Sequence, residues 1–334
     1  MKLLPLVCYL VGAAIAVPQI PSDIRARLDA YEKQVAITGS ADPAALAAIA
    51  RDVVGAARRS TLFGVWTEAC GSTLVPESDQ CGPRLWSVLN GRTATIGNRA
   101  EAAAALMARK EKGAAEKLFE VLGAQPITTI APLAPIAARM PPRLAVRILT
   151  RLAESSSKTD QAAACQALSG IDTGESRAAI SHLLGDNAPG SVPWLLCMIA
   201  RARLREGVPA AALWGYGHTL QGEGLLFTAR VMVETGHDSA TQTLTDLTRR
   251  GPMADRLRAA DLLSPLDPSV AVAVIEAAEG DGDAAVRAAA LEAERRLKRV
   301  PTKSVRAMLA DPSPLVRLRA AENAIEWASR EQIR

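Results

Sequence analysis

The phrase RLRAADL, residues 256–262, returns almost letter for letter as RLRAAEN, residues 317–323. Between them VRAAALEA, residues 286–293, carries the same arginine and the same alanines. Arg256, Arg287 and Arg317 are spaced by 31 and then 30 residues. Ala259 and Ala260, then Ala290, then Ala320 and Ala321 keep register with them, and one step back lies Ala229 in LLFTARVMV. A period near 30 that holds two short helices is the mark of an α-solenoid, whose units stack because none can bury its apolar face alone.

Composition agrees. The chain has 334 residues, enough for two or more ordinary domains or one extended array. Hydrophobic residues make up 49% but aromatics only 3%, and much of the apolar content is alanine. A β-sandwich or barrel needs alternating Val, Ile, Thr and aromatics. Ala, Leu and Arg instead favour helices, packed closely through small side chains.

Helix candidates follow one another with short breaks at Gly123, Pro141, Gly170, Gly185, Gly207, Gly251, Gly280 and Pro301. They include 41–59, 61–69, 98–112, 114–122, one long segment over 127–139, 142–154, 159–168, 175–184, 192–205 and 209–214. The series continues through 224–234, 238–249, 252–263, 268–278, 283–298, 302–309 and 313–329. No segment reads as a strand, so the expectation is an all-α chain of helical hairpins.

The N-terminus reads as an address. Lys2 gives a short positive region, Leu3 to Ile15 an apolar run, and Ala14-Ile15-Ala16 a small-x-small site. This is the layout of a secretory signal peptide over 1–16, cleaved after Ala16. Pro18 and Pro21 close the run well short of the ~20 apolar residues a spanning helix needs. Export to the periplasm or the medium is expected, with no integral membrane span in the mature chain. Cys8 leaves with the signal. The four remaining cysteines, in an oxidising compartment, favour disulfides. Cys70 and Cys81 flank a short polar loop that is easily closed, which leaves Cys165 to pair with Cys197.

The segments DGDAAVRAAALEA (281–293) and DPSPLVRLRAAENAI (311–325) place Asp before a helix, then Val-Arg, then small residues. They resemble HEAT repeats, especially the short HEAT-like type of phycobilisome lyases. The match is clearest over 251–334, is looser over 97–250 and is absent from 17–96. The resemblance implies a right-handed α-solenoid of antiparallel helix pairs. The organisation expected is a signal peptide (1–16), an N-terminal helical capping region with a cysteine loop (17–96) and a repeat array (97–334). Asp311 is expected to cap its helix, with Pro312 in the first turn. Arg256, Arg287 and Arg317 could line a binding ladder, but the resemblance favours pairing with an Asp of a neighbouring unit, such as Asp281 or Asp311.

Chemistry is harder to find. None of the three histidines, His182, His218 and His237, forms a close ligand pair, and no cysteine spacing suits zinc, so no metal or cofactor is expected. WGYGHTLQGEG, residues 214–224, breaks the helical rhythm, and Trp214, Tyr216, His218 and Glu223 could form a ligand loop. The formal net charge of +4 is spread over interspersed charges, which argues against a nucleic-acid partner. The reading is a non-catalytic, monomeric scaffold that binds another protein. Its alternatives are an enzyme accessory or lyase-like enzyme, and a cell-wall glycan or small-ligand binder using Trp66 and Trp86 of the N-terminal region.

Overall fold

A computed structural model describes residues 20–74, 80–207, 223–234, 236, 239–297 and 302–332. The expected signal peptide lies outside the described residues, as do the 209–214 helix and His237. Among the described residues all regular structure is helical.

The first helices are α1 (Ser22–Thr38), α2 (Pro43–Ala57), α3 (Phe63–Gly71), α4 (Cys81–Asn90), α5 (Ile96–Ala108) and α6 (Ala114–Gly123). Two single turns follow, α7 (Ile127–Ile130) and α8 (Ala134–Ala137), joined by a 3₁₀ turn over Ala131–Leu133. Next come α9 (Pro142–Ala153), α10 (Lys158–Leu168), α11 (Gly174–Asp186) and α12 (Val192–Arg203). The last helices are α13 (Glu223–Glu234), α14 (Ala240–Thr248), α15 (Met253–Leu263), α16 (Pro268–Glu279), α17 (Ala284–Leu297), α18 (Lys303–Ala307) and α19 (Pro314–Glu331).

Local chemistry sets many of these boundaries. Asp42 caps α2 by accepting N–H bonds from Ala44 and Ala45 at 2.9 and 3.3 Å, with Pro43 in the first turn. Asp267 and Pro268 do the same for α16. Thr173 and Ser176 form a reciprocal capping box on α11. The single helix expected over 127–139 is broken, because Pro132 and Pro135 each lack the N–H that an α-helix interior requires. α1 and α4 were not among the sequence candidates. α1 is polar almost throughout, and buries only Ile24, Leu28 and Tyr31 at helical spacing.

Contacts run from each helix to the next ones in the chain: α3 and α4 on α5, α5 on α6, α6 on α9, α9 on α10, α10 on α12, α12 on α13. They continue through α13, α15, α17 and α19, with α14 and α16 packed alongside. The path then closes on itself, because α19 lies along α2 and also touches α3. Leu46, Ile49, Val53 and Val54 of α2 share one buried cluster with Val316, Leu318, Ala321 and Ile325 of α19. Each such Leu, Ile or Val contributes about 1.5–3 kcal/mol relative to exposure. The two ends of the chain thus meet in a seam with a core of its own.

The recurring alanines do what their size suggests. Ala259, Ala260, Ala290, Ala320 and Ala321 are all fully buried. A small side chain there lets neighbouring axes approach to roughly 8–10 Å. α3 and α5 also meet closely, since a Cβ on Gly71 would stand 3.2 Å from the Ala105 Cα. Asn323, which replaces the Leu262 of the earlier phrase, donates from Nδ2 to the Leu291 carbonyl of α17 at 2.9 Å.

Both cysteine pairs sit at disulfide distance, as expected, with Cα atoms 5.6 Å apart for Cys70–Cys81 and 5.2 Å for Cys165–Cys197. The first ties the end of α3 to the start of α4, and the second staples α10 to α12. Among the described residues no helix is long and apolar enough to cross a membrane.

Two outcomes follow. Ala290→Leu overpacks the α15–α16–α17 contact and costs about 1–3 kcal/mol, read as a lower urea midpoint with the helical circular dichroism retained. Loop-closure entropy makes the longer Cys165–Cys197 link worth ~4 kcal/mol against ~3 for Cys70–Cys81. The Cys165→Ala/Cys197→Ala double variant should therefore melt below the Cys70→Ala/Cys81→Ala one.

Candidate functional site

All three phrase arginines donate to backbone carbonyls. Arg256 donates from Nε to the Thr248 carbonyl at 2.8 Å, at the end of α14. Arg287 donates from Nη1 to the Asp281 and Gly282 carbonyls at 2.8 and 3.1 Å, just past α16. Arg317 donates to the Asp311 and Pro312 carbonyls at 2.7 and 3.0 Å. Thr248 ends its helix, whose last carbonyls lack intrahelical partners, so Arg256 caps it; Arg287 and Arg317 instead fold back on the loops that lead into their own helices.

Arg287 also pairs with a neighbouring unit's Asp. Arg287 grips both oxygens of Asp311, with Nε and Nη2 each at 2.9 Å. This charge-assisted fork raises the Arg287 pKa. The carboxylates of Asp281 and Asp311 accept the N–H of Asp283 and Ser313 at 2.8 and 2.7 Å, two residues on. Asp311 is therefore not the helix cap that the sequence suggested. Ser313 holds that position and Pro314, not Pro312, begins the helix.

The same device recurs where no repeat was legible. Arg58 bonds the Ala69 carbonyl, Arg99 that of Leu89, Arg109 that of Cys70 and Arg151 those of Gly123 and Gln125. Arg177 bonds the Leu204 carbonyl at 2.9 Å while pairing with Asp172 and Glu206. Lone arginines in irregular units carry no periodic signal, so these were missed.

The densest polar cluster sits at the seam. Arg319, the second arginine of the repeated phrase, reaches from α19 to Glu68 of α3. It also meets Glu322 at 2.9 Å and Glu292 of α17 at 4.0 Å. Glu292 in turn holds Arg295 at 2.7 Å and Arg296 at 3.6 Å. Arg296 continues to Asp261 of α15 at 2.9 Å, and Arg295 to Glu326 at 3.5 Å. A belt of alternating charge therefore runs across α15, α17, α19 and α3. A second bridge, Arg306 to Glu32 at 2.7 Å, joins α18 to α1.

Three carboxylates share Arg319, and the electrostatics are correspondingly lopsided. Burial, with Glu322 and Glu292 as like charges, holds the Glu68 pKa above the ordinary carboxylate value against the pull of Arg319 and Arg139. Glu68 keeps 28% of its side-chain surface accessible, so its water access is partial rather than absent. The three carboxylates raise the Arg319 pKa despite burial. Among the described residues no group of three or more His, Cys, Asp or Glu side chains gathers in a way that could hold a metal ion.

The other candidates separate. Trp214, Tyr216 and His218 lie outside the described residues. Glu223 begins α13, and its side chain is outside them too. His182 is exposed and faces Asp186 at 3.0 Å on its own helix. Trp66 is buried beneath Arg84 at 4.9 Å, and Trp86 packs half-buried on the same core. No protein-family model matches the chain, and no curated protein matches it.

The seam electrostatics fix a sign. A carboxyl whose folded pKa is raised contributes stability at acidic pH that is lost as pH rises through that pKa. Glu68→Gln should leave the protein at least as stable at neutral pH and flatten the rise in stability on mild acidification. Arg319→Met leaves three carboxylates without their shared cation and should cost about 3 kcal/mol. Urea titrations of both variants across the mildly acidic to neutral range measure each effect.

Proposed function

We propose that the chain is an exported, non-catalytic protein of the HEAT-like repeat type, which acts as a scaffold for another protein. The observation that supports this reading is the recurring junction: an arginine of each repeated phrase ties down carbonyls of the segment before it, and the phrase alanines are buried. Such a frame holds a long surface in fixed geometry, and repeat proteins use surfaces of that kind to bind partners. Charges in the belt are paired with each other at partial exposure, Arg296 at 52% and Asp261 at 34%. A belt of this kind suits a polar, register-specific contact rather than general attraction to polyanions.

Two bonded cysteine pairs are compatible with the oxidising compartment that the N-terminal signal implies. The right-handed solenoid and the division into a 17–96 cap and a 97–334 array belong to this proposal. So does the monomeric state.

Affinity capture of the tagged protein from a native envelope extract is the test. A stoichiometric partner should be recovered, and Arg296→Glu should cut its retention at least tenfold while the variant's melting curve stays within a few degrees. Repeated capture without a stoichiometric partner, or retention indifferent to belt charge reversal, would overturn the reading.

A further inference from the structure

The seam joins residues far apart in sequence, and its apolar core is its own. Leu46 and Val53 of α2 with Val316 and Ile325 of α19 form a cluster separate from the one that holds Leu149 of α9 and Leu168 of α10. The seam can therefore loosen while the packing of α9 on α10 stays intact. Its polar contact is crowded with carboxylates. Arg319 of α19 bridges to Glu68 of α3, both partly buried, and also meets Glu322 at 2.9 Å and Glu292 of α17 at 4.0 Å. Glu292 has Arg295 and Arg296 as further partners, at 2.7 and 3.6 Å. Glu68 depends on the shared Arg319, with Arg139 adding a weaker pull. The other elements packed on α3 bring charge to other positions. Arg58, at the end of α2, donates to the Ala69 carbonyl, and Arg109, at the end of α5, to that of Cys70. Arg84 of α4 lies over Trp66, and Glu101 of α5 meets Thr67.

We propose that Glu68 is a proton switch on this seam, so that the two ends of the chain hold together more tightly in mildly acidic than in neutral solution. A proton on Glu68 removes one of the charges crowded around Arg319 and leaves the apolar contact untouched. Burial first, then the like charges of Glu322 and Glu292, hold the Glu68 pKa above the ordinary carboxylate value against Arg319 and Arg139. Opening the seam returns Glu68 to water and to that ordinary value. The closed form therefore binds the proton more tightly. Its advantage is complete below the ordinary value and is lost as pH rises through the raised one. This inference is independent of any protein partner.

Amide hydrogen exchange on the full chain, corrected for the intrinsic effect of pH on the exchange rate, reads the opening helix by helix. From about pH 5 to about pH 7, opening of α2 and α19 should rise about threefold or more, while that of α9 and α10 stays constant. Glu68→Gln, which has no proton to lose, should abolish the rise and keep α2 and α19 closed at both pH values. Glu322→Gln should shrink the rise, because Arg319 then serves Glu68 with one competitor fewer. Glu101→Gln, on the other side of α3, should leave the rise unchanged. The inference is overturned if α2 and α19 respond to pH no more than α9 and α10, if Glu68→Gln keeps the native response, if Glu322→Gln enlarges it, or if Glu101→Gln removes it.

Discussion

The packing of α2 along α19 is the constraint on which the rest of the structure depends. A run of helices each packed on the next leaves a helix at either end with an apolar face to cover. Here those faces cover each other. Leu46, Ile49 and Val53 from one end and Val316, Leu318 and Ile325 from the other form one core. The contact joins residues about as far apart in the chain as they can be, so its closure entropy is met by burial rather than by local hydrogen bonding. Two arginine–glutamate bridges, Arg306–Glu32 and Arg319–Glu68, give the apolar contact a register.

Between the helices the working parts are modest and recurrent. Small alanines let helices come close, and arginine satisfies carbonyls at helix ends and in the loops between helices. The two roles are coupled, because close helices leave little room for water at the junctions, and buried carbonyls without a donor are costly. A guanidinium has enough N–H groups to serve two carbonyls and still hold a carboxylate, as Arg287 does. Lysine, with a point charge and no planar fork, would not replace it.

Much of this was legible in the residues. The all-helical class and most helix positions follow from composition, Gly and Pro punctuation and period, and the alanines proved to be contact residues. Both cysteine pairings agree with the spacing. The misreadings have physical causes. The 127–139 segment kept its apolar rhythm but holds two prolines, and the backbone rule outweighed the pattern. α1 was passed over because its apolar positions are few and its polar face is wide. Asp311 looked like a helix cap, but a second Pro two residues on moved the helix start to Pro314.

By itself the sequence determined that this chain forms helices, where most of them begin and end, and which small residues face inward. Those properties depend on neighbours a few positions apart, through capping, periodicity and side-chain volume. Only the tertiary structure decided that the two ends meet. It also decided that Arg319 would gather Glu68, Glu292 and Glu322, and that a cleft would open between Val53 and Pro314. Glu322 is three residues from Arg319 and Glu292 holds the matching place in the phrase before it, but Glu68 and the N-terminal side of the cleft lie about 250 positions away, and their proximity rests on the sum of every small rotation between successive helices. No local signal carries that sum.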